Sequence, residues 1–284
     1  MRYSSQMVVT ATGEPEVRVL TSDFRPSLGL DRMRGSSQLV RLVAKRDLKL
    51  RYAQTYLGPL WVVLQPLVPA LLFTFVFTKV VTIKTAGIPY LLFVTTAMAP
   101  WNFFSRVIQR GGPALIAERA LIARVYFPRL VTQIAVVVSS TVDLFVSLIV
   151  VALAMVQTGT MPTWRVVALP ALFLWVATLA LGSSAMIAAL SVRRRDLVQT
   201  LPFITQAWLY VTPIAYPLTS ASSLRPLLLV NPLTPIVEGF RWCFTGYTEL
   251  SATGFAYGIA MAVVILGAGL LVFNRSDWDL ADVL

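Results

Sequence analysis

Residues able to do acid–base, nucleophilic or metal chemistry are scarce in this chain. It has no histidine, one cysteine (Cys243) and 13 Asp and Glu in 284 residues. Without imidazole there is no His-liganded zinc site, no histidine general base and no Ser-His-Asp triad, and a lone cysteine has no partner for an intramolecular disulfide. The sequence carries no G-x-x-x-x-G-K-[ST] phosphate loop, so ATP is not bound and split through that motif. Asp143, in VVSSTVDLFVSLIV, is the carboxylate that stands inside a long apolar run. An acid at membrane depth is a candidate proton relay or substrate contact. A structural reading competes with that one and is the stronger: a polar knot with Ser139, Ser140 or Ser147, or with a facing helix. The other well-defined apolar runs offer no second buried acid or base to continue a relay.

The elements that must position Asp143 are membrane helices. Hydrophobic residues make up 57% of the chain and charged residues 13%, with a mean hydropathy of +0.73; soluble chains run at roughly 45–50% apolar and about 25% charged. Six apolar runs, residues 57–80, 89–107, 130–156, 166–190, 197–218 and 254–273, each approach the ~20 residues of one crossing. Pro100, Asn102, Pro202, Pro213 and Pro217 interrupt the second and fifth, which a membrane helix tolerates when neighbours satisfy the freed carbonyls. The expected fold is therefore an all-α integral membrane bundle of six transmembrane helices. Residues 1–35 form a polar tail without the apolar core of a signal peptide. Residues 36–56 carry an amphipathic helix with Leu39, Leu42, Val43 and Leu50 on one face and Arg46 among them, suited to the headgroup layer. The transmembrane domain covers 57–275, and residues 276–284 end the chain.

A net charge of +11 would suggest nucleic acid in a soluble protein. Here the basic residues lie between apolar runs instead of on one face, and no nucleic-acid recognition signature accompanies them. Their placement reads as topology. With the N-terminus inside, only Lys79, Lys84, Arg165, Arg225 and Arg241 fall outside, and the other nineteen of the 24 basic residues are cytoplasmic, as is the C-terminus.

Three polar segments and a set of aromatic residues could carry function. The connection from Gly111 to Leu130 has a helical middle, Ala114–Val125, with Glu118 and Arg119 on one side and Leu115, Ile116, Leu121 and Ile122 on the other, as a helix that docks into another protein would have. Arg193–Asp196 is a second cytoplasmic turn, which the positive-inside bias already explains. Leu224–Phe244 is broken by Asn231, Pro232, Pro235, Glu238 and Arg241, and each mid-bilayer charge costs about 2.5–3.5 kcal/mol, so short re-entrant or interfacial outer helices are expected there. Tyr90, Trp101, Phe103 and Phe104, then Phe203, Trp208, Tyr210 and Tyr216, then Trp242 gather near the ends of the runs. Interfacial anchoring is the base expectation; a channel lining that offers ring faces to sugars is the alternative. Small residues at Ala180/Ser184/Ala188 and Gly254/Gly258/Ala262 mark helix-packing stripes.

Taken in order, these segments resemble a known family. RDLKLRYAQTYLGPLWVVLQPLVPALLFTFVF (Arg46–Phe77), APWNFFS (Ala99–Ser105), RVYFPRL (Arg124–Leu130) and SSTVDLFVSL (Ser139–Leu148) are similar to stretches of ABC-2 type permeases that export polysaccharides. RRRDL at Arg193 through QAWLYVTPIAYP ending at Pro217, NPLTPIVEGFR (Asn231–Arg241) and LADVL (Leu280–Leu284) continue the likeness over nearly all of the chain after Ser36. The resemblance implies a half-transporter in the cell inner membrane: two copies form a homodimer and bind two ABC ATPase subunits. ATP and Mg would sit on those partners, with no cofactor on this chain and no catalysis by it. Gln38–Tyr52 would be the interface helix. Glu118, Arg119, Arg124, Arg129, Arg193, Arg194, Arg195 and Asp196 would couple to the ATPases. Trp101, Phe104, Trp208, Tyr210 and Tyr216 would line the substrate channel, and Asn231, Glu238 and Arg241 would lie at the outer gate. Asp143 falls in a shared motif, which favours a functional role more than its own surroundings do. The expected cargo is a lipid-linked polysaccharide such as O-antigen. A drug or small-lipid exporter is the alternative within the family, and an intramembrane enzyme on lipid-linked sugars the alternative outside it. The tail before Ser36 is longer than the family expectation, and Leu280 stands where Phe is more usual.

Overall fold

The computed structural model describes residues 5–9, 15–19, 36–52, 60–80, 83, 85–118, 128–194 and 196–283. The tail holds two strands, β1 (Ser5–Val9) and β2 (Pro15–Val19), paired antiparallel from Ser5↔Val19 to Val9↔Pro15. The polar-tail reading did not include this hairpin. Its signal is the period-two alternation of PEVRV, which suits a strand.

Every later element is helical: α1 (Ser37–Tyr52), α2 (Leu60–Phe75, widening into a π-turn over Val76–Val80), α3 (Tyr90–Gly111), α4 (Ala114–Ala117) and α5 (Leu130–Thr158). They continue as α6 (Leu169–Arg193, entered through a 3-10 turn over Trp164–Ala168), α7 (Asp196–Val211), α8 (Arg225–Val230), α9 (Leu233–Thr245) and α10 (Ala252–Val283). Five helical stretches among the described residues are long and apolar enough to cross a bilayer: Val63–Val80, Tyr90–Gly111, Leu130–Thr158, Trp164–Arg193 and Ala252–Arg275. The run expected over 197–218 is different. Its helix α7 has 16 residues, about 24 Å at 1.5 Å per residue against a ~30 Å hydrocarbon core. Thr212 to Ala215 follow as buried non-helical backbone, so this run is not one continuous helix. The last helix also runs beyond the expected end of the sixth span, to Val283.

The bundle is organised around α3, which packs on α2, α5, α6 and α9. Its polar residues and Pro100 made it a weak span by sequence, yet it is the most buried of the five candidates. A helix enclosed by protein need not be uniformly apolar, because its neighbours and not lipid meet its polar groups. The α6–α10 contact is the most intimate. A Cβ on Gly182 would lie 2.5 Å from the Leu266 Cα, and one on Gly269 would collide with the Gly182 carbonyl. Ala180, Ser184 and Ala188 on the same helix are buried, as the stripe implied. On the outside, Val138, Val142, Phe145, Ile149, Leu153 and Val156 of α5 are exposed at helical spacing, a surface suited to lipid.

α1 lies on α5, with Val40, Val43 and Ala44 against Val131 and Ala135. Of the apolar face read from the sequence, Val43 is buried and Leu39 packs against this patch, while Leu42 and Leu50 are 66% and 71% exposed. Val40 and Ala44 complete the packed side.

Candidate functional site

Three centres lie along α3. At its Gly111 end, charges from α1, α3 and α5 converge. Asp143 of α5 is buried and pairs with Arg51 of α1; Arg106 of α3 reaches its other oxygen at 3.8 Å and also donates to Gln65 of α2. One turn on, Arg110 pairs with Asp47 of α1 at 3.5 Å and donates to Ser139 Oγ at 3.2 Å. Arg46 spans Asp47 and Glu118, and the Glu118 hydrogen bond raises the Arg46 guanidinium above its ordinary value. Two inward-facing i, i+4 neighbours, Asp47 and Arg51, follow the buried Val43 on α1, so the same helical period delivers both packing and charge.

The Asp143 carboxylate meets arginines of two facing helices, the second of the two structural alternatives. Ser147 Oγ donates to the Asp143 backbone carbonyl at 2.9 Å. Arg51 lies in α1, outside every apolar run, so hydropathy alone does not point to it. Beside the knot, Gln133 of α5 donates to the Gly111 carbonyl at 3.0 Å and accepts from Ser184 Oγ at 2.9 Å, tying α3, α5 and α6 together.

The second centre is at the Tyr90 end. Glu238 and Arg241 of α9 pair at i, i+3, with Arg241 only 1% exposed and Glu238 fully buried. These two residues, assigned to the outer gate by resemblance, are enclosed in protein. The Arg241 guanidinium lies 3.6 Å from the centroid of the Phe93 ring and donates to the Pro213 carbonyl at 3.0 Å. Glu238 also accepts from Thr248 Oγ1 at 3.2 Å and from the Glu249 backbone at 3.1 Å. Tyr90 Oη donates to the Ala215 carbonyl at 2.6 Å, and Asn231 Nδ2 to Thr212 Oγ1 at 3.0 Å. These side chains satisfy the broken backbone after α7, the condition under which non-helical chain survives at membrane depth. Phe93 and Arg106 are thirteen residues apart on α3, so the two ionic centres lie about 20 Å apart along the axis.

Between them stand aromatic residues. Phe104 meets Trp208 of α7 edge-on with centroids 5.3 Å apart, and Trp101 lies 6.3 Å from Phe104. Trp208 Nε1 donates to Asn231 Oδ1 at 3.0 Å, linking this cluster to the second centre. Trp101 and Phe104 are buried, so the protein's own helices cover the faces expected to line a channel. Tyr210 is 61% exposed and accepts at its backbone carbonyl from Tyr216 Oη at 2.8 Å. Of the expected coupling residues, Arg193, Arg194 and Asp196 are exposed at the α6–α7 turn and Arg129 stands immediately before α5. Arg119, Arg124 and Arg195 lie outside the described residues.

The family described as ABC-2 type transporter matches residues 38–245, a window that contains all three centres. The chain belongs to the ABC-2 type transporter family. As an ABC-2 chain with several bilayer-length apolar helices, it is a multi-pass membrane permease. It is 30% identical over 247 residues to the O-antigen export system permease protein RfbA of Myxococcus xanthus, covering 86% of this chain and 94% of that protein. Two Klebsiella pneumoniae proteins of the same description are 27% and 25% identical, each over 87% of this chain and 95% of their own length. The ABC-2 window opens with α1 and closes with α9, so it spans both ionic centres and the aromatic cluster between them.

Proposed function

We propose that this ABC-2 permease exports a lipid-linked polysaccharide of the O-antigen class across the cytoplasmic membrane, driven by ATP hydrolysis on a separate subunit. The observation that carries the reading is the agreement of relatives described as O-antigen export permeases along 86–87% of the chain. Two copies pair, and each engages an ABC ATPase that holds ATP and Mg. Both termini are cytoplasmic, as the distribution of Lys and Arg supports.

The geometry supplies a route for the coupling. A displacement at Glu118 acts on Arg46, hence on α1, and α1 is ionically tied to α3 and α5 through Asp47–Arg110 and Arg51–Asp143–Arg106. α3 carries Trp101 and Phe104, which back Trp208. Nucleotide on the partner biases the bundle by contacting its two arrangements differently at the Glu118 loop and the Arg193–Asp196 turn. The half-buried Trp208 and Tyr216 and the exposed Tyr210 are the ring faces on which sugars pass, with Trp101 and Phe104 as their support. Flat apolar faces with polar tips accept successive sugars without holding one tightly.

Depletion of the protein tests this. The expected result is lipid-linked glycan accumulating on the inner side of the membrane, with surface glycan lost. Normal surface glycan after depletion would refute the proposal.

A further inference from the structure

Where α6, α9 and α10 meet, the surface is hollowed into a groove of about 510 Å³, within the roughly 300–1,000 Å³ of ligand clefts. Gly239 forms part of its floor; a Cβ there would lie 2.8 Å from Leu172. Ile259 and Val263, both more than half exposed, stand along one wall. Thr178 and Trp175 bring polar atoms to the lining, and both are engaged with backbone: Thr178 Oγ1 donates to the Leu174 carbonyl at 2.7 Å and Trp175 Nε1 to that of Gly258 at 3.2 Å. The groove suits an alkyl chain and has little to offer a hydroxyl-rich sugar.

A cation sits at its edge. The Arg165 guanidinium lies 5.5 Å from the ring centroid of Trp242, which lines the groove. Among the described residues no carboxylate forms an ion pair with it. Its position is built into the fold. Gly246 takes the left-handed conformation (φ 76°) at the end of α9, and any Cβ there would collide with the Arg165 guanidinium. An unpaired cation stacked on an aromatic wall beside an alkyl groove is complementary to an anionic headgroup on an acyl chain.

We propose that this groove binds one acyl chain of an anionic phospholipid whose phosphate pairs with Arg165, an inference that rests on the membrane placement given above. Native mass spectrometry of the full chain, purified in detergent and titrated with phosphatidylglycerol or phosphatidylcholine, tests it. Phosphatidylglycerol should bind roughly fivefold more tightly, the contribution of one basic residue near an anionic headgroup. Arg165→Gln should erase that preference, Arg165→Lys should retain most of it, and Val263→Trp should weaken both lipids by filling the groove from an exposed position. Equal binding of the two lipids to the unsubstituted protein, or binding indifferent to Val263→Trp, overturns the proposal. So does a disulfide between copies of an Ile259→Cys variant, which would seat a second chain on the groove. A chain recovered from the soluble fraction would overturn the membrane placement and this site with it.

Discussion

Arg241→Ala should sharply lower the thermal unfolding midpoint of the detergent-purified protein, and Glu238→Ala should do nearly the same. Each leaves an uncompensated charge in a protein-enclosed site, at a cost of about 3–5 kcal/mol against a total stability on the order of 5–15 kcal/mol. The loss extends beyond the pair. Without Arg241 the Pro213 carbonyl loses its donor and the Phe93 ring its cation; without Glu238 the Thr248 hydroxyl and the Glu249 amide lose their acceptor. Arg241→Lys keeps the charge but gives up the planar fork that serves Glu238 and Pro213 together, so it should fall between wild type and alanine. Replacing both charges at once, Glu238→Gln with Arg241→Met, should recover part of the loss, because a buried pair replaced as a unit costs less than a broken one. Thermal unfolding in detergent, followed by size-exclusion profile, reads all four. An Arg241→Ala variant with an unchanged midpoint would show that the knot does not hold the broken backbone in place.

The second large effect is at Asp143. Asp143→Asn keeps the shape of the side chain and removes the charge that Arg51 and Arg106 share, so the last turn of α1 loses its main tie to α5. A hydrogen bond to a charged group contributes about 1.5–3 kcal/mol, which corresponds to a tenfold or greater rise in local opening. Trypsin cleavage after the exposed Lys49 should accelerate by that factor while the rest of the bundle stays resistant. Export should fall with it, because α1 links the Glu118 loop to α3. Asp143→Glu, which retains the charge, should lose far less. If cleavage and export are both unchanged in Asp143→Asn, the knot neither anchors α1 nor transmits force.

The membrane class, the α1 segment and the position of most spans are legible in the sequence because each depends on local quantities: run length and charge density. The errors come from long-range packing. α3 is a weak span by composition because Pro100, Asn102 and Arg106 lie in it, and those residues are tolerated because α3 is the helix that others surround. Asp143 is visible as an anomaly at once. Its partner Arg51 is 92 residues away and outside the spans, so no local pattern joins them. Glu238 and Arg241 could have been paired from their i, i+3 spacing alone, since two opposite charges one turn apart in an apolar segment have every reason to meet. The aromatic set is legible as a group, but its depth is not: Phe104 and Tyr210 look alike in sequence, and packing alone buries one and exposes the other.

The central claim is that this chain moves a lipid-linked glycan only when another subunit supplies the motor. Proteoliposomes containing the purified chain, its co-purified ABC ATPase and a labelled lipid-linked polysaccharide measure this directly. Transfer of label to the opposite leaflet should require ATP and both proteins, with none from this chain alone. Transfer or chemical turnover of the glycan by this chain without the ATPase would contradict the claim.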